Sequence, residues 1–438
     1  MSDQQILLDR IKSDIKAYCN NAYDYRFNKN KPAVRLQEPT TDAEEIFAAM
    51  ETMLSTFTTM GKKVRAFEEQ YAAYAGTRYG VMSNSGSSSN LLSVAALANP
   101  FTPDYLKPGD EVIVPALSWS TTIWPLIQHQ LIPVLVDCDL NTYNLDLNKL
   151  EKAIGPKTRA IKLVHVYGNP CNMDGILSLA KKHNLFVIED CCEAMGAQYD
   201  GKAVGSMGHI GNLSFFFSHH ITTLEGGISI SNDFDLTETM RILRAHGWSR
   251  EADEHQKYVN MYPDIDPRFI FINVGYNLRP TEVNAAMGQL QLPKLDTFVE
   301  NRRKTANYFL KSLAKHSDFF RFQQEEPKGK HVWFGFPLIL KENAPFTVKQ
   351  LASYMQSQGI ETRPIIAGNM ARHPAFNMFE HRIGGDLSSA DTVMKRGLAF
   401  ACHHAVDEQA QAYVVNTIDR FITEHTSHAC RQEKEAAL

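Results

Sequence analysis

Between Tyr79 and Asp190, short β-branched runs alternate with helical stretches, and this alternation constrains the fold more than any other feature of the chain. The runs are Tyr79-Gly80-Val81-Met82, Glu111-Val112-Ile113-Val114, Pro133-Val134-Leu135-Val136-Asp137, Ala160-Ile161-Lys162-Leu163-Val164 and Leu185-Phe186-Val187-Ile188-Glu189-Asp190. Helical patterns, such as Met173 to His183, lie between them. Strand–helix–strand at this spacing predicts an α/β fold with a large, mainly parallel sheet and helices on both faces. Ligands of such sheets bind at the carboxyl ends of the strands. Upstream, Ile6, Leu7, Ile11 and Ile15 recur at helical spacing, so a packed amphipathic helix is expected over residues 3–19. A polar linker from Phe27 to Thr41 follows, then a helix from near Asp42 through Leu54 and another from Val64 that stops at Gly76. The alternation fades after about Leu292. A helix (Asn301 to His316), a strand (Val332 to Leu340), a helix (Val348 to Gln358) and a last helix (Glu408 to Phe421) predict a smaller α+β unit. The expected division is a helical extension over 1–58, a large ligand-binding domain over 59–292 and a small C-terminal domain over 293–438.

Composition removes several function classes. The 438 residues allow two or three domains. Forty-five Lys and Arg against 49 Asp and Glu give a net charge of −4, which is no electrostatic footprint for nucleic acid or an anionic membrane. No apolar run approaches the roughly 18–20 residues of a membrane helix, and the start lacks the basic region of a signal peptide. Seven scattered cysteines without a CxxC pair predict reduced thiols in the cytoplasm, with neither a disulfide framework nor a metal site.

Three stretches carry chemistry. Ser83-Asn84-Ser85-Gly86-Ser87-Ser88-Ser89-Asn90 follows a strand and precedes an apolar helix from Leu91 to Ala98. Backbone amides and hydroxyls at such a helix start suit a phosphate, although an ordinary capped helix accounts for them equally well. Ile188-Glu189-Asp190-Cys191-Cys192-Glu193 places carboxylates at the end of a buried strand. A buried ionised Asp there needs a cation, which a protonated pyridine supplies, unless it caps the next helix. In Asn212-Leu213-Ser214-Phe215-Phe216-Phe217-Ser218-His219-His220-Ile221-Thr222-Thr223-Leu224-Glu225-Gly226-Gly227, a strand expected over Leu213 to Phe217 runs into a polar loop. Ser214, Ser218 and His219 then converge on the ligand edge, while a lone loop histidine is more often merely solvated or satisfied in the core.

In this order and spacing the three stretches resemble the sugar aminotransferase (DegT/DnrJ/EryC1/StrS) family of fold-type I pyridoxal-phosphate (PLP) enzymes. His165-Val166-Tyr167-Gly168-Asn169-Pro170, Pro115 to Thr122 and Gly275-Tyr276-Asn277-Leu278-Arg279 agree with it. The resemblance implies phosphate contacts from Gly86, Ser87 and Ser214, and a pairing of Asp190 with the pyridinium nitrogen. It places Glu193 near the ring 3-oxygen and Trp119 over the ring. Asn277 is implied to reach the phosphate of a neighbouring subunit, hence a homodimer. Thr59, Met60, Gly61, Ser218, Arg279 and Arg363 are implied on the substrate side. At the position of the family's Schiff-base lysine this chain has His219, and no lysine lies between Lys202 and Lys257. The chain thus resembles the dehydratase branch. That branch binds PLP and its amino form, pyridoxamine phosphate (PMP), without a covalent tether, and takes L-glutamate as amino donor. It removes the 3-hydroxyl of a nucleotide-linked 4-keto-6-deoxy hexose, here expected to be GDP-linked, with His219 as acid and base. Three alternatives are an iron–sulfur dehydrase of CDP sugars, an aminotransferase with an unusual base, and a non-catalytic binding protein. The first wants a cysteine cluster after Trp248, and Ser249 to Asn273 contains no cysteine.

Overall fold

The structure, a computed structural model, describes residues 3–436. Among these residues the largest sheet has eight strands. Their spatial order is Tyr79–Ser83, Gly227–Ser231, Ile210–Ser214, Phe186–Asp190, Thr158–Val164, Glu111–Pro115, Ile132–Val136 and Arg382–Ile383. From Ile210–Ser214 to Arg382–Ile383 every pairing is parallel. Gly227–Ser231 runs antiparallel to both of its neighbours. The α/β expectation holds, and the five runs that predicted it are all strands.

Continuous apolar runs suit these strands because both faces are covered. On one face Val112, Val114, Ala160, Val164, Ile188 and Ile210 pack with Leu92, Leu97, Ile123 and Leu126 of the helices Gly86–Leu97 and Ser120–Gln128. On the other, Ile113, Val134, Ile161, Leu163 and Val187 pack with Leu150, Met173 and Ile176 of Leu147–Ala153 and Met173–His183. Each such side chain contributes about 1.5–3 kcal/mol on burial. The ends of Met173–His183 follow from its sequence. Asn172 accepts the Gly175 amide at 3.0 Å, Asn184 turns left-handed at φ 52°, and Lys181, Lys182 and His183 lie in the last turn.

Two expected strands are shorter than their apolar runs. The first ends at Ser214, where the Phe215 amide turns to Gly226 O at 2.9 Å and the His219 amide closes a turn on Phe216 O at 2.9 Å. Phe216 and Phe217 therefore lie exposed instead of alternating across the sheet. The second begins only at Phe336, because the Val332 and Phe334 amides bond to Gly168 O at 3.0 Å and Tyr167 O at 2.8 Å. In both places the residues removed from the strand serve the ligand edge.

Downstream, Phe320–Phe322, Phe336–Leu340, Gly397–Phe400 and Thr362–Arg363 form a four-stranded antiparallel sheet. Phe309, Leu351, Met355 and Ile418, from helices Leu295–Leu313, Val348–Ser357 and Glu408–Ala436, pack with it. Arg382–Ile383 leaves this region to join the large sheet, held by Arg382 Nε and Nη2 on the Glu111 carboxylate at 2.7 and 2.6 Å. At the other end of the chain, helix Asp3–Ala22 packs on Ala43–Leu54. Its expected packing stripe is only partly covered: Cys19 is buried, whereas Ile6 and Leu7 are exposed. The linker between these helices crosses to the C-terminal region. There the Glu361 amide donates to Val34 O, and the Leu36 amide to the Glu361 carboxylate, both at 2.9 Å.

Candidate active site

A cavity of about 370 Å³ opens at the carboxyl ends of the parallel strands. Gly86, Ser87, Trp119, Asp190, Glu193, Ser214, Ser218, His219 and Arg363, all named from the sequence, line it.

One end is built for an anion. The Ser-rich run is the first turn of helix Gly86–Leu97, not a loop ahead of it, with Ser85 as cap accepting the Ser88 amide at 3.1 Å. The first amides of a helix have no partner within it and lie at the positive end of its dipole. Ser214 closes against this turn so tightly that a Cβ on Gly86 would sit 2.4 Å from the Ser214 Cβ. Gly227 lets the antiparallel strand pass just as close, since a Cβ there would lie 2.3 Å from Ser85 O. Ser87 Oγ donates to Thr121 Oγ1 at 3.2 Å.

The other end carries Asp190, which is 4% exposed. Its Oδ2 accepts from Thr122 Oγ1 at 2.6 Å and from Asn90 Nδ2 at 3.1 Å, and its Oδ1 from the Cys192 amide at 3.1 Å. Among the described residues only neutral groups donate to this buried carboxylate, so it suits a cationic N–H arriving from the cavity. An anion cradle and such a carboxylate at opposite ends, with Val164 and Trp119 lining the space, fit a phosphorylated pyridine. Glu193 Oε2 accepts the Tyr167 amide at 2.9 Å; burial raises its carboxyl to about 7 against the opposing pull of Arg363. The Arg363 guanidinium lies 5.8 Å from the centre of the Phe334 ring.

His219 faces the same space. Its ring stands edge-on to Phe334, with centroids 5.2 Å apart, and its buried Nδ1 has no hydrogen-bond partner among the described residues. Burial, reinforced by Arg363 and Arg302, lowers its pKa to about 4, so at neutral pH the ring is a free base. The next residue, His220, turns away and holds Val332 O at 3.2 Å. No lysine lines the cavity among the described residues.

The remaining named residues lie outside the cavity. Thr59 is exposed, Met60 packs beside the cluster of Val64 and Phe67, and the Gly61 amide donates to the Glu282 carboxylate at 2.9 Å. Asn277 and Arg279 bond to each other at the surface at 3.2 Å. Conversely, Asn90, Thr122, Phe334 and Ile366 line the cavity without having been singled out. Asn90 was within reach of the sequence, because it follows Gly86 by one helical turn and so shares its face. Phe334 had no local signal, since it reaches the site from the distant C-terminal region.

One other group of potential metal ligands converges among the described residues. His165, Glu189 and Cys191 have ligand atoms within 4.8 Å of one another. His165 Nδ1 accepts the Cys171 amide at 2.9 Å, which puts its proton on Nε2, 3.1 Å from Glu189 Oε2. The amides of Gly205, Met207 and Gly208 also donate to Glu189, at 2.7, 2.9 and 2.5 Å. No three cysteines come together in this way among the described residues. None of the described helices is long and apolar enough to cross a membrane.

Known proteins are similar to this chain in sequence and fold. The GDP-4-keto-6-deoxy-D-mannose 3-dehydratase of Yersinia pseudotuberculosis is 42% identical over 380 residues, covering 86% of this chain and 95% of that protein. The crystal structure of a histidine-to-asparagine variant of GDP-4-keto-6-deoxymannose-3-dehydratase (ColD) with bound GDP-perosamine superposes with a TM-score of 0.83. It shares 37% identity over 88% of this chain and 99% of that one. The E. coli GDP-4-keto-6-deoxy-D-mannose-3-dehydratase with bound hydrated PLP gives a TM-score of 0.81 at 36% identity, covering 90% and 99%. The fold is therefore the aminotransferase-like one that the sequence predicted. The profile of the DegT/DnrJ/EryC1/StrS aminotransferase family matches residues 39–419, and the chain belongs to that family.

Proposed function

We propose that the chain is a PLP/PMP- and glutamate-dependent 3-dehydratase acting on a nucleotide-linked 4-keto-6-deoxy hexose, with GDP-4-keto-6-deoxy-D-mannose as substrate. One observation carries this reading: among the described residues, a cavity fitted for a phosphorylated pyridine presents an uncharged histidine with an unpartnered Nδ1 and no lysine. When bound, the cofactor supplies the amine that condenses with the sugar C4 ketone and the electron sink that lets the C3 oxygen leave. Gly86, Ser87 and Ser214 hold its phosphate, Asp190 keeps the ring nitrogen protonated, and Trp119 covers the ring. His219, neutral at physiological pH, takes the proton from the C4′ carbon and returns it to the departing C3 oxygen. Histidine cannot recapture the cofactor covalently as a lysine would, so nitrogen leaves as ammonia and is not retained on the sugar. The sum balances: keto sugar and L-glutamate give the 3-deoxy keto sugar, 2-oxoglutarate and ammonia.

Glu193, partly protonated near neutrality, is placed to hydrogen-bond the ring 3-oxygen. Arg363 and Ser218 line the side from which the sugar nucleotide enters. Asn277, Arg279 and Thr59 to Gly61 join the site through a homodimer. Supporting this are apolar side chains left exposed around the cavity and near these residues: Phe57, Trp119, Phe217, Leu224 and, at 91% exposure, Val274.

Incubation with PLP, L-glutamate and GDP-4-keto-6-deoxy-D-mannose tests the reading. Loss of one oxygen from the sugar, with equal amounts of ammonia and 2-oxoglutarate, is expected. A product that retains nitrogen, or no turnover, would overturn it. In His219→Lys, borohydride should fix the cofactor to the protein while deoxygenation stops.

A further inference from the structure

Lys162 takes no part in the site as described, yet it lies on the strand beside the one that carries Asp190. It lies in Thr158–Val164, pairs in register with Ile188, and is two residues before Val164, which pairs with Asp190. Side chains alternate along a strand, so Lys162, Val164, Ile188 and Asp190 share one face. Lys162 is 0% exposed, and its ammonium has no hydrogen-bond partner among the described residues. Asp190 and the Cys192 thiol are the titratable groups that act on it. A lysine buried without a partner is costly if charged, and the hydrophobic neighbours Val164 and Ile188 would accept an apolar residue there.

We propose that Lys162 is a positioning residue, the internal counter-cation that balances the buried Asp190 carboxylate while the cofactor is absent and yields to the ring nitrogen when it binds. The idea rests on the dehydratase reading above. Without a covalent tether the cofactor is free to leave, so the site must survive empty, with Asp190 bonded only by neutral donors. A cation held too far for a hydrogen bond suits this role, because it neutralises the carboxylate without occupying the position of the incoming N–H. Burial outweighs the attraction of Asp190 and lowers the Lys162 pKa to about 8, so the ammonium sheds its charge readily beside a second cation.

The test is a double-mutant cycle on the cofactor-free protein, with Lys162→Met, Asp190→Asn and the double variant unfolded in denaturant. The Lys162→Met change should be more favourable in the Asp190→Asn background than in the Asp190 background, by about tenfold in the unfolding constant. PLP affinity at neutral pH gives the second readout. Removing the competing cation should tighten binding about tenfold when Asp190 is present, and should leave it unchanged in Asp190→Asn. Additive stabilities would overturn the proposal, and so would a Lys162→Met protein that binds PLP no more tightly than the wild type. Neither readout measures turnover. Failure here with deoxygenation intact therefore removes the counter-cation alone, whereas absent deoxygenation removes the dehydratase reading.

Discussion

Glu189 and Asp190 are consecutive on one strand, both almost wholly buried, and they point to opposite faces of the sheet. Behind the sheet, Glu189 is saturated by His165 and three backbone amides. In front, Asp190 accepts from three neutral donors around a cavity, and His219 across it leaves a ring nitrogen unbonded. Each face pairs a buried carboxylate with a histidine, His165 wholly buried and His219 partly so. Saturation separates them: a network with every acceptor filled holds the chain together, and one with places left open receives a ligand.

The contrast can be broken by substitution. The largest effect should fall on the open face, where His219→Asn is expected to cut the deoxygenation rate by about 10³-fold with the fold intact by circular dichroism. Comparable turnover in this variant would move the base elsewhere. Behind the sheet, Glu189→Gln turns an amide group toward three N–H donors. It should cost about 3 kcal/mol of stability in denaturant titrations, while PLP affinity in the surviving folded protein stays close to that of the wild type. A selective loss of PLP affinity would make the rear face part of the site. Acid should expose the front face as well. The unfolded chain protonates His219 below its ordinary value of 6.5, and the folded chain only at about 4. Stability present above 6.5 is therefore lost as pH falls through that window, by on the order of 2 kcal/mol from this group. His219→Asn should remove that share, while His220, His331, His403 and His404, also lowered by burial, keep theirs. The mildest change is Asn90→Ala, which removes one of the three donors to Asp190. It should weaken PLP binding by about 1–2 kcal/mol and cost about 1–2 kcal/mol of stability, because Asn90 is buried; an unaltered affinity would demote Asn90 to packing.

The front face was far more legible in the sequence than the rear. Its residues close short strand-end motifs, so Gly86, Asp190, Glu193, Ser214 and His219 could be named once the order and spacing of those motifs showed the family resemblance. The saturation of Glu189 depends on a turn near Gly205 to Gly208 and on the ring orientation of His165, which no spacing reveals. The same limit explains the two truncated strands. Phe215 to Phe217 and Val332 to Phe334 are apolar enough for strands, but the Phe215 amide bonds to Gly226, the Val332 and Phe334 amides to the loop at Tyr167–Gly168, and the Phe216 and Trp333 amides to side chains two residues before them. Lys162 was hidden for the opposite reason, since a charged residue inside an apolar run reads as an interruption until the register shows which carboxylate shares its face. The partly exposed first helix shows that helical spacing predicts the helix but not whether anything covers it.

Gly227–Ser231, the strand that runs against its neighbours, also has a kinetic meaning. It lies between Tyr79–Ser83 and Ile210–Ser214, so the turn at Gly86 meets Ser214 only after segments far apart in the chain have zipped together through it. A pairing of such long sequence separation carries a large loop-closure entropy and forms slowly. The anion cradle therefore exists only once these three strands have joined, and capture of the cofactor marks a chain in which they have.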